Sequence, residues 1–201
     1  MSNMKLILSV MFLLHGSQFA VTAAPSEQSP NILLIITDQQ FAEAMSCASN
    51  PHVQTPAIDG LAARGMRFTE SYCTSPVCAP SRGSILTGLF PHQHGVTENG
   101  ERIRSDLKEI CIEHLLAGKG YECVYAGKWH LAASKTISQT ELQQHPYRVL
   151  ADSNDARVSD ACVQYLGEEH KRPFFLVASY TNPHDICLWA MGKQEGYQKY
   201  P

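Results

Sequence analysis

Asn31-Ile32-Leu33-Leu34-Ile35-Ile36-Thr37 is an unbroken aliphatic run that closes in Thr37-Asp38-Gln39-Gln40. Apolar residues without alternation, at this length, read as a strand buried on both faces, as in a parallel sheet covered by helices. The closing polar residues put Asp38 at the strand's C-terminal tip. Phe174 to Tyr180 reads as a second buried strand, Tyr121 to Ala126 as a third, and Met66 to Tyr72 as a short fourth. Helical patterns lie between them. Thr55 to Arg64 has Thr55 as cap, Pro56 in the first turn and Gly65 as stop. Asp106 to Gly118 places Leu107, Ile110, Cys111, His114 and Leu115 on one face, and Asp106 with Glu109 resembles a capping box. Asp155 to Glu169 repeats the pattern with Val158, Ala161, Cys162, Tyr165 and Leu166. Strands alternating with helices predict an α/β fold, a mostly parallel sheet with helices on both faces. Ligands of such sheets gather beyond the strand C-termini, and Asp38, Lys128 and His184 each lie just past a predicted strand end.

The chain has 201 residues, 44% of them hydrophobic and 17% charged, enough for one globular domain with a sizeable core. A net charge of −3 gives no overall basic field, which excludes nucleic acid and an anionic membrane surface as expected partners. Lys5, the apolar run from Leu6 to Leu14 and the small residues Val21-Thr22-Ala23-Ala24 read as a signal peptide over residues 1–23. That run is too short to span a bilayer, so export to the periplasm or the medium is expected, with no stable membrane anchor. Residues 24–29 form a polar linker, and residues 30–201 are the globular unit. The seven cysteines show neither metal-type spacing nor a disulfide framework, and most read as small buried apolar residues.

One cysteine stands apart. In Pro76-Val77-Cys78-Ala79-Pro80-Ser81-Arg82-Gly83-Ser84-Ile85-Leu86-Thr87-Gly88, Pro80 suits the first turn of a helix that runs to Thr87 and stops at Gly88. Cys78 then sits at the helix N-terminus, beside free backbone N–H groups, where tetrahedral anions bind and a thiol's pKa falls. Arg82, one turn in, offers a fork of donors to the same anion. A structural cysteine ahead of a capped helix fits these residues as well.

The segment resembles the sulfatase signature: cysteine, a small residue, Pro, Ser, Arg, and later an apolar pair, Thr and Gly. A second sulfatase-like signature runs from Gly120 through Gly127-Lys128-Trp129-His130, with Cys123 where the family usually has Ser or Thr. The Pro-Asn-Ile-Leu opening, Asp38, Gly95-Val96 and Asn182-Pro183-His184-Asp185 fall in family order, so the resemblance covers about residues 30 to 190. It implies an alkaline-phosphatase-like fold and a sulfuric ester hydrolase. It further implies that a separate maturation enzyme converts Cys78 to formylglycine. The hydrated aldehyde attacks sulfur with one hydroxyl as the alcohol departs, and loss of a proton from the other then expels sulfate and restores the aldehyde, which a plain serine cannot match.

By the same resemblance, Asp38, Gln39 and Cys78 would bind a divalent cation, usually calcium. Arg82 would hold the diol and the helix end, Lys128 would contact sulfate, His130 would take the proton, and His184 would contact sulfate or the leaving group. Asp38 as a cap, and Lys128, His130 and His184 as ordinary loop residues, are the bland alternatives. Gln39 departs from the family, where a second Asp often follows the first ligand. A sulfated small molecule or polysaccharide is the expected substrate. A phosphatase or phosphonate monoester hydrolase of the same superfamily is the rival enzyme, and an inactive secreted anion-binding fragment is the rival of another class. No terminal element closes the sheet after Tyr200-Pro201, so the C-terminal part of the domain, with further metal ligands, is expected outside this sequence. The isolated chain is expected to be inactive.

Overall fold

The computed structural model describes residues 29–132, 136–138, 141 and 143–187. The predicted signal peptide, residues 24–28 of the linker and residues 188–201 lie outside the described residues. Among those described, no helix is long and apolar enough to cross a membrane.

Among the described residues, four parallel strands form one sheet: β1 (Ile32–Asp38), β2 (Glu122–Gly127), β3 (Tyr147–Ala151) and β4 (Phe174–Pro183), in the order β1-β4-β2-β3. Around it lie α1 (Pro56–Arg64), α2 (Cys78–Thr87), α3 (Pro91–His94), α4 (Ile112–Ala117) and α5 (Asp155–Leu166). One sheet face packs Phe175, Val177, Cys123 and Tyr125 with Ala79 and Leu86 of α2. The opposite face packs Phe174, Leu176, Ala178 and Val124 beneath Val158, Cys162 and Tyr165 of α5. The predicted α/β class therefore holds. Central β4 is buried on both faces, and each large apolar side chain so buried contributes roughly 1.5–3 kcal/mol.

The first strand departs from its reading. Ile32, Leu34 and Ile36 pack on the α2 side, whereas Leu33 and Ile35 are 44% and 52% exposed. The reason is position: among the described residues β1 pairs only with β4, and α5 covers the centre of the sheet, not this edge. Met66 to Tyr72 is not a strand. Met66, Phe68 and Tyr72 are exposed, and no strand among the described residues pairs with them. The predicted helix from Asp106 to Gly118 is split into a 3-10 turn, Ser105–Ile110, and α4. Asp106 does not cap it, because both its carboxylate oxygens accept from the Arg104 guanidinium, at 3.1 and 2.7 Å. Cys111 then adopts an extended conformation between the two pieces. β3 has no counterpart in the sequence reading. α5 starts as expected, with the Asn154 side chain accepting from the Arg157 N–H.

α2 follows its prediction from Cys78 to the stop at Gly88. Gly83 permits α3 to approach: a Cβ there would lie 2.7 Å from Cε1 of His94. His94 is fully buried, its Nδ1 accepts from the Val96 N–H at 3.2 Å, and its Nε2 lies 3.1 Å from Ser84 Oγ. It is thus a packing residue tying α2 to α3, while its neighbour His92 is exposed and stacks on Phe90. Burial holds the His94 imidazole below its ordinary pKa. A hydrogen bond to the Pro80 carbonyl opposes this shift, and the nearby His92 charge adds to it. Because the folded pKa is depressed, the contribution of neutral His94 to stability is full above about pH 6.5 and fades as pH falls. His94→Asn keeps an acceptor for Val96 without a titrating ring. Melting temperatures measured from pH 7.5 to 5 are expected to fall less steeply for the variant, and equal slopes would contradict this.

Candidate active site

The strand tips converge as the sequence implies. β1 ends in Asp38, the residue after β2 is Lys128, the residue after β4 is His184, and the N-terminus of α2 supplies Cys78. The Cys78 thiol lies 3.6 Å from Asp38 Oδ1 and 3.9 Å from Lys128 Nζ. Asp38 Oδ2 accepts from Lys128 Nζ at 2.8 Å and from Arg82 Nη2 at 3.0 Å. A ligand atom of His184 falls within 4.8 Å of those of Asp38 and Cys78. Asp38, Arg82 and Lys128 are all buried, and the cluster opens into a cleft of about 540 Å³ lined by Gln39, Cys73 and Ser81.

The electrostatics favour an anion. Two buried cations face one carboxylate at the positive end of a helix, leaving about one net positive charge before any ligand arrives. Burial works to raise the Asp38 carboxyl, yet hydrogen bonds and charges from Lys128 and Arg82 outweigh it and hold the group below the usual carboxylate range. Asp38 is therefore ionised. The expected low thiol pKa is not found. Burial pushes the Cys78 thiol up, and the Asp38 charge adds to this against the opposing pull of Lys128. An unmodified Cys78 is a poor nucleophile in this setting.

Arg82 lines the cleft, but its guanidinium is held by protein groups. Besides Asp38, it donates through Nη1 to the Lys128 carbonyl at 2.7 Å and to Ser179 Oγ at 2.8 Å. Its guanidinium joins α2 to the tips of β1, β2 and β4, which fixes the helix end where Cys78 sits. The Lys128 carbonyl also accepts from Tyr125 and Ser179 hydroxyls, each at 2.7 Å. Gln39 lies at the rim with a φ of 60°, and its amide oxygen accepts from the Cys187 thiol at 3.4 Å. His130 follows the buried Trp129 with a φ of 55° and is partly exposed.

Sequence reasoning missed the supporting groups. Asn99 Oδ1 accepts from the Ala79 N–H at 3.0 Å and so occupies one of the amides at the α2 terminus that was read as free. Tyr125 and Ser179 were read only as strand residues. No local motif marks any of the three, because each reaches its partner through the fold.

A parallel α/β sheet with a cysteine at a helix N-terminus, enclosed by a carboxylate, a lysine, an arginine and a histidine, defines an anion-handling site. The family model for sulfatases, described simply as Sulfatase, matches residues 30–200. The chain belongs to the sulfatase family. It is 38% identical over 184 residues to an ulvan-active sulfatase of Formosa agariphila, covering 77% of this chain and 35% of that protein. A delta 4,5-hexuronate-2-O-sulfatase of Bacteroides thetaiotaomicron is 31% identical over 182 residues, covering 86% and 38%. Among solved structures, one in complex with its substrate D-glucosamine-2-N,6-O-disulfate superposes with a TM-score of 0.63 at 28% identity, covering 77% and 35%. The chain thus spans little more than a third of the length of these relatives.

Proposed function

We propose that the complete protein is an exported hydrolase of sulfate esters, acting on a sulfated carbohydrate through formylglycine at residue 78. The observation that carries this reading is the buried, net-positive pocket built around Cys78 by Asp38, Arg82 and Lys128. The names of these three relatives support the carbohydrate class, since they speak of ulvan, of a delta 4,5-hexuronate and of a disulfated glucosamine.

The parts of Cys78, Asp38 and Lys128 follow from their surroundings, and those of His130 and His184 from the family resemblance. Oxidation of Cys78 to the aldehyde, and its hydration, would supply a hydroxyl nucleophile where the thiol is held protonated. Asp38, Gln39 and the modified residue 78 would supply part of the donor set of a divalent cation, for which we propose calcium. The ionised Asp38 turns Oδ1 toward residue 78, oxidation would replace that sulfur with oxygen, and Gln39 stands at the rim as a neutral oxygen donor. Such a cation would offset charge on the sulfate oxygens. Lys128 binds a sulfate oxygen, and in a buried site its ammonium acts with little screening. His130 takes a proton from residue 78. His184 gives one to the departing alcohol.

Two measurements on one preparation from a host with a maturation system test this proposal. The tryptic peptide Phe68 to Arg82 is expected to carry the thiol-to-aldehyde mass change and to react with hydrazides. Aryl sulfate is expected to turn over at least about 100-fold faster than aryl phosphate, a difference of about 2.7 kcal/mol in transition-state stabilisation. An intact Cys78 thiol in every copy would sink the formylglycine reading in favour of the inactive fragment, and a preference for phosphate would sink the sulfatase reading in favour of the phosphatase alternative. Metal analysis of the same preparation reads the cation.

A further inference from the structure

We infer that Asp155 is a positioning residue that sets the place of His184 in the active site through a bulge at the end of β4; its kinetic consequence rests on the sulfatase reading above. The β1–β4 ladder runs evenly to Ile36 opposite Ser179, and the next pair is Asp38 opposite Pro183. Two steps along β1, from 36 to 38, thus face four along β4, from 179 to 183. The extra residues leave the ladder, as in bulges that re-aim a side chain beside a functional site.

The displaced groups need other partners, and one carboxylate supplies them. Asp155 Oδ1 accepts from the Thr181 N–H at 2.7 Å, while Oδ2 accepts from the Asn182 N–H at 2.9 Å and from Asn182 Nδ2 at 2.7 Å. Thr181 Oγ1 donates to the Ser153 carbonyl at 3.2 Å. The His184 N–H then donates to the Thr181 carbonyl at 3.1 Å, so the bulge leads directly into His184. The anchor is firm, because Asp155 is the first residue of α5, whose Val158, Cys162 and Tyr165 are packed on the sheet. A charged acceptor holding three donors fixes their geometry more strongly than a neutral one. An acid in the first helical turn also complements the helix dipole. That role alone would leave His184 where it is, and the test below separates the two.

In the full-length enzyme, Asp155→Asn turns an amide NH2 toward groups that are themselves donors. The expected result is a fall in kcat of about 10- to 100-fold with KM changed less than about 3-fold. The loss should be larger for a sulfate ester of a poorly leaving alcohol than for an activated aryl sulfate, because proton donation by His184 matters more there. In a His184→Ala background, Asp155→Asn should cause no further loss. Asn182→Ala removes one hydrogen bond of the three. It should show a smaller change in the same direction, which keeps the test valid if Asp155→Asn fails to fold. With histidine-labelled protein at fixed pH, the imidazole signal of His184 should move in both variants while that of His94 stays. Additive losses with His184→Ala, or an unmoved His184 signal, would overturn the inference. If no sulfate ester turns over at all, the sulfatase reading fails, and the imidazole signal still decides the role of Asp155.

Discussion

Cys78→Ala in the full-length protein is expected to lower sulfate-ester turnover by at least about 10⁴-fold, the scale on which loss of a nucleophile acts when its supporting site stays intact. The physical case starts from what the thiol does in the fold, which is little. It is only partly buried, and its near contacts are the polar groups of Asp38 and Lys128, so its removal leaves α2 capped by Asn99 and pinned by Arg82. Stability should therefore change by less than about 1 kcal/mol. Cys78→Ser separates formylglycine chemistry from ordinary hydroxyl chemistry. A serine can accept the sulfuryl group yet has no second hydroxyl with which to expel it, so at most about one equivalent of alcohol should appear before turnover stops. Cys47→Ala is the control, since Cys47 lies beside α1, where its backbone N–H donates to Asp59 and its thiol has no part in the cluster. Steady turnover by Cys78→Ala, or equal losses in the Cys78 and Cys47 variants, would remove residue 78 from the chemistry.

The groups that the sequence marked are those that sit at the tip of an element with their own local punctuation. Asp38 ends an aliphatic run, Lys128 follows Gly127, and Cys78 precedes Pro80 in a helix that stops at Gly88. What escaped the reading depends on long-range contacts. Arg82 and Ser179 meet across 97 positions, and Ala79 finds Asn99 across 20, so neither partner is visible in any local window. β3 escaped because only Tyr147 is buried, while Arg148 and Val149 face solvent at the sheet edge and break the apolar pattern. The aliphatic run of β1 misled for a related reason, since an unbroken apolar strand does not encode which of its faces α5 will cover.

Gly127→Ala is expected to be the most damaging single-carbon change in the described chain. A Cβ at this position would lie 1.9 Å from the Ser179 carbonyl oxygen, 2.9 Å from its carbon and 3.0 Å from Val158 Cγ2. No rotamer relieves this, because the obstacle is backbone, and Gly127 is paired with Ser179 between the two central strands. The same carbonyl accepts the Lys128 N–H at 2.8 Å, so parting the strands also withdraws Lys128 from the site. Its own carbonyl is the acceptor shared by Arg82, Tyr125 and Ser179, and that network is displaced with it. A φ of 104° adds about 1–3 kcal/mol of strain for alanine, and a lost buried hydrogen bond adds about 1–3 kcal/mol more. Against a total stability of about 5–15 kcal/mol, the variant should either fail to accumulate folded or melt many degrees lower with turnover reduced by at least about 100-fold. Gly100→Ala isolates the backbone contribution, for Gly100 has a φ of 101° and nothing within 4 Å of the added carbon. The control should show the conformational penalty without the collision and keep its activity. If Gly127→Ala melted within about 2 °C of Gly100→Ala and turned over substrate equally well, the close approach of β2 and β4 could not be what places Lys128.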